Sequence, residues 1–370
     1  MTTAVARQLK LDDPDCHITW AISYKCRQVI ENNPDIDNIW EVQYSAGENQ
    51  YTDVLFKVKA EAEKKRMAGE YDEIICGQMS TDNIQYFDGT TRSSTFRTFG
   101  KPIKDVTPII NLYDYEIKHV KEFAEKHDLK KYRNVVLCEC SPSSRQSFMT
   151  LPLMLELVEG IVKELDDVVF IISTHLKVQS NNKRIIDGSM LSFRENAELS
   201  KYCTMLIGCS SGITWLLTSN WAKKINTIQF LLNSDDSFRF ASLAYDFKYW
   251  GLSTDHILET DKNTITGMKQ IVTSALTDFN LAKKKYGQDF IPSLKKLETF
   301  IYQIDLPYSF RSVRQLISAA GNFSKRNDIK KNKFLLFILI CKAKGKRAMR
   351  FIYRKFVSRK NIIKTNRDNH

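Results

Sequence analysis

Four short apolar runs punctuate the middle of the chain: residues 134–140 (NVVLCEC), 168–174 (VVFIIST), 204–210 (TMLIGCS) and 226–232 (NTIQFLL). Apolar runs of this length between polar loops read as buried strands. Helical segments fall between them. An amphipathic helix is predicted over residues 150–165, and Ser192-Phe193-Arg194-Glu195 is a capping box that opens a helix reaching about Cys203. A further helix starts near Gly212. Strands alternating with helices make βαβ units, and such units build a parallel sheet covered on both faces. No tandem repeat of short period is present, which excludes a solenoid.

A first, weaker series precedes this one. Residues 5–11 read as the end of a helix, 17–23 (HITWAIS) and 38–43 (NIWEVQ) as strands, and 71–78 (YDEIICGQ) as a third strand. Between them, 52–69 is helical with Leu55, Val58, Ala62 and Met67 along one side, and 116–129 is helical. Two series predict an α/β protein of two Rossmann-like domains, residues 1–130 and 131–264. Mostly helical residues 265–320 close the body. A length of 370 residues accommodates this division.

Charge separates the last segment from the rest. The net charge is +12, yet residues 321–370 hold 16 Lys and Arg against 2 Asp. The body is therefore near neutral and the tail strongly cationic. Hydrophobic residues at 43% and charged residues at 26% exclude a fully disordered chain. The best apolar run in the tail, residues 334–341, is far short of the roughly 18–20 residues that span a bilayer. Residues 1–10 carry no apolar signal core. Eight cysteines are too sparse for a disulfide framework, so a reduced, cytoplasmic protein is expected.

Two loops at predicted strand ends carry the chemistry. The first is Ser141-Pro142-Ser143-Ser144-Arg145-Gln146-Ser147, which offers hydroxyls, backbone N–H groups and a guanidinium suited to a diphosphate. The second is Ile207-Gly208-Cys209-Ser210-Ser211-Gly212, where glycines permit close backbone approach ahead of a helix. Each also reads as an ordinary solvated loop or tight turn; together they can hold one ligand between them. Glu195 caps its own helix, and Glu198, one turn on, is placed to accept ribose hydroxyls or to remain a surface acid. Residues 86–97 (YFDGTTRSSTFR) read as a polar loop in which Arg92 and Arg97 suit an acidic acceptor. No metal site is expected: Cys138 and Cys140 lack a second Cys/His pair, and two of the three acidic doublets, Asp12-Asp13, Asp166-Asp167 and Asp235-Asp236, read as turn residues. Nor is there a G-x-G-x-x-G, a P-loop or a G-x-S-x-G motif, which counts against dinucleotide oxidoreductases, P-loop NTPases and α/β-hydrolases.

Pro14-Asp15-Cys16-His17-Ile18-Thr19-Trp20 with Asn33-Pro34-Asp35-Ile36-Asp37, and Asp187-Gly188-Ser189 through Glu195, Leu199 and Cys203 to Ile207-Gly208-Cys209-Ser210-Ser211-Gly212, resemble the heptosyltransferase-like family 9 glycosyltransferases. The resemblance covers roughly residues 1–260. It implies a GT-B fold, two facing Rossmann-like domains with parallel sheets, and inverting, metal-independent transfer from a nucleotide sugar without a cofactor. By the same resemblance Arg145 meets the donor phosphates; with the loop and helix readings above, Ser141, Ser143, Ser144, Glu195, Glu198, Ser210, Ser211 and Gly212 complete the expected donor site, and Arg92 and Arg97 form the acceptor side. The family's donor loop usually runs Asn-Asp-Thr-Gly-x-x-His. Here Cys209, Ser210 and Ser211 precede Gly212, and Trp215 stands at the histidine position. The family's first strand and Gly-Asp loop, with the Asp as general base, would precede Met1. Either about 15 further residues upstream, one strand and its loop, are expected, or the protein naturally lacks its base; no catalytic base is assignable within the chain.

The tail interleaves cationic and apolar residues, with Met349, Ile352 and Phe356 along one side of a helix edged by Arg350, Arg354 and Lys355. This pattern fits an in-plane helix on an anionic membrane through residues 325–363. The expected function is sugar transfer to a glycan or lipid-linked acceptor in bacterial surface polysaccharide or lipopolysaccharide synthesis, at the inner face of the cell membrane. Two alternatives stand beside it: a nucleotide-sugar-binding protein of the same fold without turnover, and a nucleic-acid-binding α/β protein.

Overall fold

The computed structural model describes residues 2–45, 47–48, 53–77, 84–86, 91–140, 142, 146–233, 242–293, 295–296, 298–299, 310–326, 341 and 345. The chain forms two compact units. The first takes in Met1–Gly77, Phe99–Asn233 and Ala241–Phe290, and the second Gln78–Thr98, Ser234–Phe240 and Ile291–His370.

The first unit is α/β with parallel sheets throughout its described strands. It begins with α1 (Thr3–Asp12), followed by β1 (Thr19–Ser23) and β2 (Asn38–Val42), which pair in parallel with Thr19 opposite Asn38. Helix α2 (Asp53–Met67) follows, but its sides are less sharply divided than its spacing suggests: Val54 and Ala62 are buried while Met67 is exposed. No strand forms over residues 71–77, against expectation.

After α4 (Asp114–Lys126), six parallel strands assemble: β3 (Asn134–Glu139), β4 (Val168–Ser173), β5 (Ile185–Asp187), β6 (Met205–Gly208), β7 (Asn226–Phe230) and β8 (Ile257–Thr260). Their order across the sheet is β5-β4-β3-β6-β7-β8. The strand order reverses between β3 and β6, where Val136 pairs with Met205. This is the doubly wound α/β arrangement, in which ligands bind outside the carboxyl ends of the strands at the reversal. β5 and β8 are short and carried no clear signal in the sequence.

Strand alternation divides the core. Val136 and Cys138 face one side, with Met154, Leu157 and Ile161 of α5 (Leu151–Val162) and Met268, Ile271 and Val272 of α9 (Ile265–Thr277) in the same cluster. Val135 and Leu137 face the other side, in a cluster with Val120 and Phe123 of α4. Local chemistry starts these helices. The Thr150 hydroxyl accepts from Leu153 N at the head of α5, Thr264 caps α9, and Asp278 caps α10 (Phe279–Tyr286).

Arg194 joins the early elements to the sheet. Its side chain is 2% exposed. Nε and Nη2 donate to the two oxygens of Glu116 at 2.8 and 2.9 Å, Nη1 donates to the carbonyls of Gln28 and Glu31 at 2.9 and 2.6 Å, and Nη2 also donates to the Asn111 carbonyl. All five guanidinium donors are thereby used.

Residues 91–99 form helix α3 (Thr91–Phe99), all but Phe99 within the second unit, not the continuous loop expected over 86–97. Helix α11 (Phe310–Arg326) buries Ala319, Ala320 and Phe323. Asn322 Nδ2 donates to the Gln85 carbonyl at 2.6 Å. Among the described residues no helix is long and apolar enough to cross a membrane. Most of the basic tail, including nearly all of residues 327–363, lies outside the described residues.

Candidate functional site at the strand-order reversal

The carboxyl ends of β3 and β6 meet at the reversal, and a buried polar knot fills the space between them. Glu139, the last residue of β3, is 3% exposed. Its carboxylate accepts from Cys209 N (3.1 Å), Ser211 N (3.3 Å), Ile213 N (2.7 Å) and Thr214 N (3.2 Å). The Thr214 hydroxyl donates to it at 2.6 Å. Glu139 thus caps the first turn of α7 (Gly212–Leu216) from the neighbouring strand. Its negative charge sits where the amide dipoles of that turn favour an anion.

Gln229, on β7, extends the knot. Its Oε1 accepts from Ser210 N at 2.6 Å, and its Nε2 lies 3.1 Å from Thr214 Oγ1. Ser210 holds a left-handed φ of 52° and is 1% exposed. Gln146 Nε2 donates to the Ser210 carbonyl at 2.6 Å, tying the loop after β3 to the turn after β6. Gln146, at the described end of the loop after β3, therefore meets the turn after β6.

Two glycines are dictated by contact. A Cβ on Gly208 would lie 2.3 Å from Gln229 Nε2 and 2.5 Å from Thr214 Oγ1. A Cβ on Gly212 would lie 3.0 Å from Cε2 of Phe193. The cysteines here are structural thiols. Burial pushes Cys209 far up, with the nearby Glu139 adding to the effect, and burial raises Cys203 to about 12.

The expected donor residues have the following places. Ser141, Ser143, Ser144 and Arg145 lie outside the described residues. Ser210, Ser211 and Gly212 form the turn at the reversal, with Gly212 exposed at its tip. The backbone N–H groups of Ser211, Ile213 and Thr214 are spent on Glu139. Glu195 closes the capping box, accepting from Ser192 N at 2.6 Å, and its other oxygen is 2.7 Å from His119 Nδ1. Glu198 accepts from Trp221 Nε1 at 2.7 Å and from Lys201 Nζ at 2.6 Å. Both acids are buried in α6 (Glu195–Leu199) with internal partners. In the second unit, Arg92 is 1% exposed within α3, so its guanidinium is buried, not displayed in a loop. Arg97 Nη1 donates to the Tyr86 carbonyl at 3.1 Å.

Glu139, Thr214 and Gln229 were not foreseen. The one available signal was an acid inside an otherwise apolar strand, the E of NVVLCEC. A buried acid of that kind needs a set of donors.

Glu259 at the end of β8 repeats the device. It accepts from Leu243 N at 2.7 Å, Ala244 N at 3.1 Å and the Ser242 hydroxyl at 2.5 Å, capping α8 (Leu243–Tyr249). Burial raises it to about 7, although those hydrogen bonds pull the other way.

No protein-family model and no curated protein sequence matches the chain. Among solved structures, the chain is similar to the crystal structure of the glycosyl transferase family 9 from Veillonella parvula DSM 2008, at 14% identity and a TM-score of 0.47. The match covers 77% of this chain and 90% of that one.

Proposed function

We propose that this chain is a glycosyltransferase of the GT-B type that takes a nucleotide sugar at the carboxyl ends of β3 and β6. The reading rests on one observation, the strand order β5-β4-β3-β6-β7-β8 with the loops after β3 and β6 joined at its reversal. The sequence resemblance to family 9 enzymes points the same way. With Glu139 holding the amides of α7, the diphosphate takes its positive counter-charge from Arg145 and its hydroxyl contacts from Ser141, Ser143 and Ser144. Ser211 and Gly212 border it. Departure of the nucleoside diphosphate needs that positive charge, and the acceptor hydroxyl needs a base.

In this proposal the boundary near residue 130 separates an acceptor-side half from a donor-side half. The acceptor is a glycan or a lipid-linked sugar of bacterial surface polysaccharide synthesis. Residues 325–363 hold the enzyme on the anionic inner face of the cell membrane. A second reading, a nucleotide-sugar-binding protein without turnover, is favoured by the self-capped α7 turn, since its amides are withheld from a leaving diphosphate.

Calorimetric titration of UDP, ADP and GDP into the full chain tests the shared part of both readings. Saturable binding of one nucleotide, weakened about tenfold or more in Arg145→Ala, is expected. Absence of binding for all three removes both readings. Release of free nucleotide from a bound nucleotide sugar in the presence of acceptor separates the enzyme from the binding protein.

A further inference from the structure

Two tyrosine pairs flank one short 3₁₀ helix (Tyr24–Val29) in the first unit. The helix leaves the carboxyl end of β1, and Tyr44 follows the carboxyl end of β2. We propose that these two pairs bind successive rings of an uncharged oligosaccharide, the class of acceptor this chain takes. The role of acceptor rests on the glycosyltransferase reading; the binding of the glycan does not.

At the head of the helix the rings of Tyr24 and Tyr44 stand 5.5 Å apart, tilted by 56°. Lys25 Nζ lies 5.5 Å from the Tyr24 centroid and 5.4 Å from that of Tyr44. The Ser23 hydroxyl donates to Tyr44 Oη at 3.3 Å. Lys25 is exposed and enters no ion pair among the described residues, so the rings hold its ammonium while its N–H donors stay open to sugar hydroxyls. At the other end, Arg194 ties the carbonyls of Gln28 and Glu31 to Glu116 in the first turn of α4. Its Cζ is 5.4 Å from the Tyr113 centroid, and Tyr115 stacks on Tyr113 at 5.5 Å and 13°. Tyr24 and Tyr113 are exposed, and Tyr115 is 67% exposed. Rings fixed in place yet open to solvent are preorganised for a flat partner. The helix between the pairs has six residues, about 12 Å at ~2 Å each, the reach of a short oligosaccharide and not of a single ring.

Charge selects a neutral chain over a polyanion. Exposed aromatic rings also suit single-stranded nucleic acid, but that ligand needs a run of free cations along the rings. Here Arg27 is paired with Glu31 and Glu41 at 3.0 and 3.1 Å. The charges around Tyr115 are Glu116, Arg194 and Glu31, and every donor of Arg194 is engaged within the protein. A sugar ring brings polarised C–H groups to the negative face of an aromatic ring and carries no phosphate towards these carboxylates.

Saturation-transfer NMR on the full chain tests the platform with maltotetraose, cellotetraose and chitotetraose, with glucose and N-acetylglucosamine, and with octathymidylate. At least one tetrasaccharide is expected to bind saturably, and its monosaccharide about tenfold or more weakly. Tyr24→Ala and Tyr115→Ala are each expected to weaken that binding about three- to tenfold, and Tyr115→Phe, which keeps the ring, to leave it within about twofold. Absence of saturable binding for every tetrasaccharide, equal affinity for the monosaccharide, affinity unchanged in either alanine variant, or tighter binding of octathymidylate overturns the proposal. A chain that binds UDP, ADP or GDP but no tetrasaccharide loses this proposal alone. One that binds a tetrasaccharide but no nucleotide keeps it and loses the donor reading.

Discussion

The Thr214 hydroxyl donates to the carboxylate of Glu139 at 2.6 Å, across 75 residues of chain, and both side chains are almost completely buried. The pair closes a network in which a strand end supplies the cap of a helix that belongs to the next strand. The same carboxylate holds four backbone amides, so a local defect here loosens the whole turn after β6.

Thr214→Val removes one charge-assisted hydrogen bond and is expected to cost about 1.5–3 kcal/mol in urea unfolding. Glu139→Ala, which strands the amides as well, is expected to cost more than about 3 kcal/mol. A double-mutant cycle between Thr214→Val and Glu139→Gln measures the coupling. Additive losses would show that the hydrogen bond is not formed in solution.

Gly208→Ala places a methyl group on Gln229 and Thr214 at distances no real contact tolerates. A loss of about 1–3 kcal/mol is expected, as for overpacking elsewhere. Gln229→Ala in the same chain removes the nearest clashing atom. It is therefore expected to recover part of the loss, and an unchanged loss would count against the geometry.

Glu259 makes stability depend on pH. An unfolded glutamate titrates near its ordinary 4.5, whereas burial raises Glu259 to about 7 in the folded chain. Between these values the unfolded chain releases a proton that the folded chain keeps, so this group's contribution falls as pH rises from 4.5 to 7. Relative to Glu259→Gln, the wild type is expected to lose about 3 kcal/mol between pH 4.5 and pH 8, read from urea midpoints. A constant difference between the two proteins would refute it.

His256 acts with the opposite slope. Its ordinary value is 6.5 and its folded value about 4, lowered mainly by burial. As pH falls through this window the unfolded chain gains a proton first, and stability is lost. The wild type is therefore expected to be destabilised more than His256→Gln on going from pH 7 to pH 4.5. Parallel unfolding curves for the two proteins would argue against a buried neutral imidazole.

Arg194→Lys keeps the charge but cannot reproduce five donors in a planar fork. It is expected to cost about 3–5 kcal/mol, as for other broken buried ion pairs, and to raise amide exchange over residues 28–31 and 111–116. Faster exchange confined to α6 would mean that Arg194 does not anchor the early elements.

Much of this architecture was readable in advance where it depends on neighbours along the chain. The runs at 134–140, 168–174, 204–210 and 226–232 became β3, β4, β6 and β7 because burial on both faces leaves continuous apolar stretches. The Ser192–Glu195 capping box formed because its two partners are three residues apart. The loops at 140–147 and 207–212 were placed at strand ends by the same local logic. Residues 91–99 escaped it, since a polar stretch rich in Ser and Thr has little helix propensity of its own. The short β5 and β8 escaped it as well, being too brief to show a period.

Local composition and periodicity were thus sufficient for the α/β class and for where its loops lie. What those loops do with their donors was settled by residues far away in sequence. Glu139 took the amides of α7, Glu198 paired with Trp221, and Arg194 reached across 166 residues to Gln28. A buried charge is stable only beside its partners, and which partners come within 3 Å depends on how strands and helices pack, a quantity no short window of sequence contains.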